Sequence, residues 1–132
     1  MAGAHAPNAA LARAADSMPT SVFELFASRH HALLIFTYRE DEGVRALRAA
    51  AERYDRVVDG YVVARDGSAP GAHMVDPTGS AFHAYGAEGE PQYVLVRPDG
   101  YVAARGSVRD AAILGAYLDH TFGRAGVVEW GP

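Results

Sequence analysis

Apolar positions along this chain follow two rhythms, and the changes of rhythm mark the elements. His31-Ala32-Leu33-Leu34-Ile35-Phe36-Thr37 is continuous rather than alternating. A run without a polar face predicts a central strand covered on both sides. An acidic stretch follows, Glu40-Asp41-Glu42, and then Val44, Leu47, Ala51 and Tyr54 recur at helical spacing. Acids at the start, with Arg45, Arg48 and Arg53 further along, suit the helix dipole. Val57-Val58 and Tyr61-Val62-Val63 form a second strand-like segment, with Gly60 between them as a bulge or bend.

The remaining segments are shorter. Residues 1–20 are small and polar, with Pro7 and Pro19, and read as an extended lead-in with turns. Ser21 and Glu24 stand three apart, a capping-box pattern that predicts one helical turn with Phe23 and Phe26 on a shared face. Arg65 to Gly71 is a loop. Asp76-Pro77 reads as a helix start, with Asp at the N-cap and Pro at the first helical position. Phe82 and Tyr85 then face inward, and Gly86 ends that helix. The sharpest local signal is Tyr93 to Arg97, then Pro98-Asp99-Gly100, then Tyr101 to Arg105. Two β-rich runs around a Pro-Asp-Gly turn predict a hairpin. Ser107 and Asp110 open the last helix as a capping pair, Leu114, Leu118 and Phe122 form its inner stripe, and Gly123 stops it. Residues 124–132 are a tail carrying Trp130.

The order strand, helix, strand, helix, hairpin, helix predicts an α/β fold: a mixed sheet flanked by helices, in the thioredoxin-like layout. A chain of 132 residues holds one domain, here 1–132 with 1–20 as lead-in and 124–132 as tail. Composition narrows function more than fold. A net charge of −4 is a poor match for nucleic acid. The chain has no cysteine, so disulfides, thiolate metal sites and cysteine nucleophiles are excluded, and the layout comes without a Cys-x-x-Cys pair. No apolar run approaches the roughly 20 residues of a membrane helix. Pro7, Asn8, Arg13 and Asp16 interrupt the Ala-rich start, so no signal peptide is read. The expectation is a cytoplasmic protein without a membrane partner, and Met1 followed at once by the opening motif favours a complete short chain.

The hairpin carries a resemblance. Leu95 to Arg105, centred on Arg97-Pro98-Asp99-Gly100-Tyr101, resembles the signature near the end of the flavin-dependent aromatic-ring hydroxylases, the phenol-hydroxylase-like monooxygenases. Gly3-Ala4-His5-Ala6-Pro7-Asn8 is similar to the Gly-x-Arg-Ala-Pro segment that opens their C-terminal domain, and Ser21 to Phe26 to the Ser-Leu-x-Asp-Leu-Phe that follows. Asp76, Gly79 and Tyr85-Gly86 match its middle. Two positions depart: His5 stands where Arg is usual, and Ala104 where a Trp is common. The resemblance implies a thioredoxin-like domain lacking redox cysteines, a packing and dimerisation module with no catalytic residue of its own. The family's flavin site lies elsewhere, on a Gly-x-Gly-x-x-Gly turn that this chain lacks. The chain is therefore expected to bind no cofactor, meeting FAD only through a partner hydroxylase.

Other chemistry is weighed against plainer roles. A thioredoxin-like redox pair would sit near Tyr38-Arg39-Glu40-Asp41, where there is no sulfur. Pro91 precedes the hairpin strand, where such folds keep a cis proline; an ordinary trans proline is the favoured reading. His30 and His31 are adjacent and point to opposite faces of a strand, and His73, His83 and His120 lack ligand spacing. His73 and Asp76 meet His83 only if the fold brings them together, so no metal site is assigned. Pro77-Thr78-Gly79-Ser80-Ala81 is no nucleophile elbow, and Glu40-Asp41-Glu42 is a solvated helix start rather than a carboxylate pair.

Two constellations remain. Arg97, Pro98, Asp99, Gly100, Tyr101 and Arg105 are the interface candidates, with both arginines sharing Asp99 or an acid from a partner, and Tyr93 and Tyr101 as aromatic anchors. His73, Phe82, His83 and Tyr85 are the pocket candidates for an aromatic ligand. The leading expectation is a non-catalytic accessory module that binds a flavoprotein hydroxylase or a second copy of itself. The alternative is a small aromatic-ligand binder, and an enzyme using histidine and carboxylate ranks last.

Overall fold

The run His31–Phe36 becomes strand β3, and Leu33, Leu34, Ile35 and Phe36 are all fully buried. Alternating side chains leave a strand on opposite faces, so β3 demands a cover on each side. The computed structural model describes residues 4–39, 41–66 and 71–123. Strands β1 (Ala10–Arg13), β2 (Pro19–Ser21), β4 (Val58–Ala64), β5 (Met74–Val75), β6 (Gln92–Val96) and β7 (Val102–Ser107) join β3 in one sheet, ordered β2-β1-β5-β4-β3-β6-β7. The pairs β3–β4 and β4–β5 are parallel and the rest antiparallel, which is the expected mixed sheet.

Helices α1 (Glu42–Arg53) and α3 (Ala111–Leu118) cover one face, where Val44, Leu47, Leu114 and Leu118 pack on Leu33, Ile35 and Leu95. The short α2 (Ser80–Ala84) and a 3-10 turn at Phe23–Phe26 cover the other, where Phe82, Tyr85 and Leu25 pack on Leu34 and Phe36. Phe36 stacks on Tyr85 at 5.1 Å between ring centres and meets the edge of Phe82 at 5.3 Å. Aromatic pairs at this spacing add to simple area burial. Asp41 caps α1 by accepting the Val44 N–H at 3.0 Å, as its acidic start predicts.

Several expectations change. The lead-in is not merely extended: it supplies β1 and β2, and β1 pairs with β5. Upstream, Ala6 N–H donates to the Gly100 carbonyl and Val102 N–H to that of Ala4, so the chain start straps the hairpin turn. The Ser21–Glu24 capping box does not form. The turn begins at Val22 without a side-chain cap, and Asn8 accepts the Phe23 N–H at 3.0 Å. Phe23 and Phe26 do pair, at 6.0 Å. Strand β4 runs unbroken through Gly60, opposite Leu33. A Cβ on Gly60 would lie 3.1 Å from that of Ala51, so this glycine marks the close approach of α1 rather than a bulge.

Asp76-Pro77 opens a turn, and α2 begins at Ser80. Asp76 still caps it from a distance, accepting the Phe82 N–H at 2.8 Å. The hairpin forms as expected, with an irregularity between Leu95 and Val96 and Gly100 at positive φ. Ser107 caps a 3-10 turn, Val108–Asp110, that precedes α3, and the last helix ends in a π-helical turn, Asp119–Gly123. Among the described residues no peptide bond is cis, so Pro91 is trans. Glu40, most of the loop after Asp66, and the tail with Trp130 lie outside the described residues.

Gly43 ties the capping turns of the two helices together. A Cβ there would lie 2.5 Å from the Val108 carbonyl oxygen. Alanine in a helix gains about 1 kcal/mol over glycine, but overpacking against fixed backbone costs about 1–3 kcal/mol. Gly43→Ala is therefore expected to lower the urea midpoint despite its better helix propensity. Gly89→Ala, where nothing lies within 4 Å, is expected to stay within about 0.5 kcal/mol of wild type.

Candidate functional site

The C-terminal end of β3 opens into a groove of about 700 Å³, lined by Tyr38, Arg39 and Asp41 on one side and Glu90, Ser107 and Arg109 on the other. Central strand, first helix and the loop before the hairpin converge here, where a thioredoxin-like redox pair would sit and this chain has no cysteine. Its hydroxyls are committed. Thr37 is buried and donates to the Arg39 carbonyl at 2.6 Å. Tyr38 donates to the Glu88 carbonyl at 2.7 Å, and its ring packs 5.1 Å from Phe82. Ser107 donates to Glu90 Oε2 at 2.9 Å and accepts the Arg109 N–H. The Ser107 hydroxyl, and then Arg109, hold the Glu90 carboxyl below its usual range. A carboxylate stabilised in this way is a poor base for activating the serine beside it. The sequence gives no sign that Glu90, Ser107 and Arg109 form a group, because 17 to 19 residues separate the acid from its partners.

The turn from β3 into α1 is also unsuited to a flavin dinucleotide. The Asp41 carboxylate occupies the helix N-terminus, where a pyrophosphate would need bare N–H groups, and the first glycine, Gly43, already packs against Val108. The residues present do not fit the group.

The hairpin tip is the second polar cluster. Arg97 and Asp99 form an exposed ion pair, with Arg97 Nε donating to Asp99 Oδ1 at 3.2 Å. Each side chain favours the other's charged form: Asp99 lies below its ordinary range and Arg97 above. The Arg97 guanidinium also lies 5.7 Å from the centre of the Tyr101 ring. His5, in the strap, meets the same ring edge-on at 4.6 Å and sits over Gly100. Pro98 completes the turn, in which Gly100 N–H donates to the Arg97 carbonyl. Tyr101 is 41% exposed. Arg105 does not share Asp99 with Arg97. It reaches under α2 and donates to the Tyr85 carbonyl. Tyr93 is buried against the α1–α3 layer, so of the two proposed anchors only Tyr101 is on the surface.

The four pocket candidates do not wall one cavity. Phe82 and Tyr85 fill the core beneath Phe36, and the Tyr85 hydroxyl donates to the Pro7 carbonyl at 2.6 Å. Burial pushes the Tyr85 phenol well above its ordinary range. His83 is exposed and pairs with Glu88 at 3.0 Å. His73 directly precedes β5 and packs against β4, edge-on to Tyr61 at 6.4 Å, beside a separate groove of about 420 Å³. Asp76 is buried, with Oδ1 unpartnered, and joins neither histidine. Among the described residues no group of three such side chains is placed to hold a metal.

His73 has a structural task instead. Its Nδ1 accepts the Val62 N–H at 2.9 Å, while its own N–H donates to the Val62 carbonyl. Burial, and then the charge of Arg48, pull its pKa below 6.5. His31 behaves alike, through burial and then Arg97, with Asp99 opposing. Both imidazoles are favoured neutral in the fold, so the unfolded chain binds more protons once pH drops below about 6.5. Stability is expected to fall as pH drops through that value, and to level off below the folded pKa values. His73→Asn keeps an acceptor for Val62 and is expected to flatten part of the fall, measured as urea midpoints at about pH 7.5 and 5.5. An unchanged slope would remove His73 as a source.

Among the described residues no helix is long and apolar enough to cross a membrane. Solved structures of several other proteins share this fold. A thiol:disulfide interchange protein from Bacteroides sp. is 14% identical, with a TM-score of 0.65 over 90% of this chain and 91% of its own. The thioredoxin domain of a thiol-disulfide oxidoreductase from Bacteroides vulgatus is 16% identical, with a TM-score of 0.60 over 80% and 87%. Thioredoxin peroxidase I from Plasmodium yoelii is 15% identical, with a TM-score of 0.61 over 100% and 95%. At such identities the likeness shows the thioredoxin-like fold alone. No curated protein matches the chain. The family model of the aromatic-ring hydroxylase C-terminal region matches residues 1–125, in agreement with the hairpin and opening motifs, and this cysteine-free thioredoxin-like chain belongs to that family.

Proposed function

We propose that this chain is a non-catalytic accessory module that acts by binding protein, either an aromatic-ring hydroxylase flavoprotein or a second copy of itself. The observation that carries the reading is the family match over residues 1–125 on a thioredoxin-like fold that has no cysteine. The groove at the end of β3 supports it, because the hydroxyls there are bonded to neighbours and Glu90 is a weak base. In this reading FAD belongs to the partner, and the two proteins meet in the cytoplasm. The hairpin tip is the proposed contact: Tyr101 presents an exposed ring held between His5 and Arg97, and Tyr and Arg are the residues that most often anchor interfaces. The ligand-binding alternative loses support with its walls, since Phe82 and Tyr85 are closed into the core.

The test is affinity capture from the native host with this chain as bait, followed by mass spectrometry. Recovery of a yellow hydroxylase is expected, and Tyr101→Ala is expected to weaken capture about tenfold or more with circular dichroism unchanged. A purified chain that oxidises a reduced nicotinamide and hydroxylates a phenol unaided would overturn the reading.

A further inference from the structure

Strand β4 is paired along only part of its outer edge. On one side it meets β3 from Val58 to Val63, but on the other β5 joins it only at Val63 and Ala64. Backbone direction shows which groups this leaves open. The Val57 and Val63 carbonyls accept from His31 and Thr37, whereas those of Val62 and Ala64 accept from His73 and Asp76 on the opposite side. Alternation along the strand therefore turns the backbone groups of Val58 and Gly60 away from β3 too. Val58 N–H is taken by the Tyr54 carbonyl, and Val62 N–H by the His73 ring. The Val58 carbonyl and both backbone groups of Gly60 are left, and no described residue bonds them. Below His73 no described strand continues the line of β5.

The groove of about 420 Å³ runs along this open stretch. Val58 and Gly60 line it from the strand, Ala51, Glu52 and Asp55 from α1, and His73 ends it. Ala51 and Gly60 are too small to cover the edge. An open edge recruits another extended chain through main-chain bonds, and alternate side chains select its sequence. Here the selection is by charge. With Asp59 and Arg48 included, three carboxylates face one guanidinium in the groove. Asp59 is held by Ser28 and His30, while Glu52 and Asp55 are exposed. A second copy of this edge would set the same acids against each other, whereas a strand bearing lysine or arginine is attracted.

We propose that the β4 edge between Val58 and Val62 is a docking site for an extended basic peptide of a partner protein. The peptide donates to the Val58 and Gly60 carbonyls, accepts the Gly60 N–H, and sets its cations against Glu52 and Asp55. The site lies across β3 from the hairpin and does not depend on capture of a hydroxylase.

Nuclear magnetic resonance of the isotope-labelled full chain tests it, with acetyl-Val-Lys-Val-Lys-Val-amide as the probe. Saturating peptide is expected to move the Gly60 amide resonance and to slow its hydrogen exchange at least about tenfold. The same peptide with glutamate for lysine is expected to bind at least about tenfold more weakly, and so is the lysine peptide to the Glu52→Lys, Asp55→Lys double variant, with circular dichroism unchanged. Methylating the peptide's backbone nitrogens is expected to abolish binding. A Gly60 amide already protected in the free chain overturns the proposal, as does one that the lysine peptide leaves unmoved at about millimolar concentration. Equal binding of the glutamate peptide overturns the basic partner, and equal binding of the methylated one overturns strand pairing. Peptide binding is read on the purified chain whatever affinity capture retains, so this proposal and the accessory reading fail separately.

Discussion

Everything in this fold answers to the burial of β3 on both faces. Leu33 and Ile35 point to one side and Leu34 and Phe36 to the other, and none of the four is exposed. Fully burying such side chains is worth about 1.5–3 kcal/mol each, and the gain is realised only if two separate layers are in place. Helices α1 and α3 supply one layer. The other is assembled from a five-residue helix, a single 3-10 turn and the chain start. Such short elements have little stability of their own, since helices this short are marginal in water.

Side-chain and strap bonds hold that weaker layer. Asp76 caps α2 from below, and Arg65 donates to the Asp76 carbonyl at 3.0 Å, placing a cation beside the buried acid. Arg105 ties the end of α2 to the hairpin through the Tyr85 carbonyl, and the Tyr85 hydroxyl ties it to Pro7. The opening segment then pairs with Gly100 and Val102 at the hairpin turn. The family's opening, middle and hairpin motifs thus form one connected structure. Residues that look like separate signatures along the chain are bonded to one another in the fold.

The same economy shapes the surface. In a fold shared with thiol-exchange proteins, the end of β3 has a groove but no cysteine and, among the described residues, no free hydroxyl with an adjacent strong base. What remains distinctive is contact chemistry: an aromatic ring held between a cation and an imidazole at the hairpin tip, and a helix whose outer face is apolar.

Local order was legible in the sequence wherever one segment decides its own state. Continuous apolarity marked β3, the spacing of Val44, Leu47 and Ala51 marked α1, and Pro98-Asp99-Gly100 marked the hairpin, because each depends on near neighbours. The family was legible for the same reason, its motifs being short runs. Strands β1, β2 and β5 were not, since four, three and two residues carry almost no periodic signal and exist only where a longer edge accepts their hydrogen bonds. The site divided along the same line. Asp99 beside Arg97 is two residues away and readable, whereas Arg105 turning to Tyr85 and Phe82 and Tyr85 closing into the core depend on partners 20 to 78 residues distant. The amino-acid order by itself determined which of the longer segments are strand and helix, the family, and the absence of thiol chemistry. Tertiary structure alone decided which polar groups are committed and which face outward, because burial and hydrogen-bond partners are set by packing between distant segments.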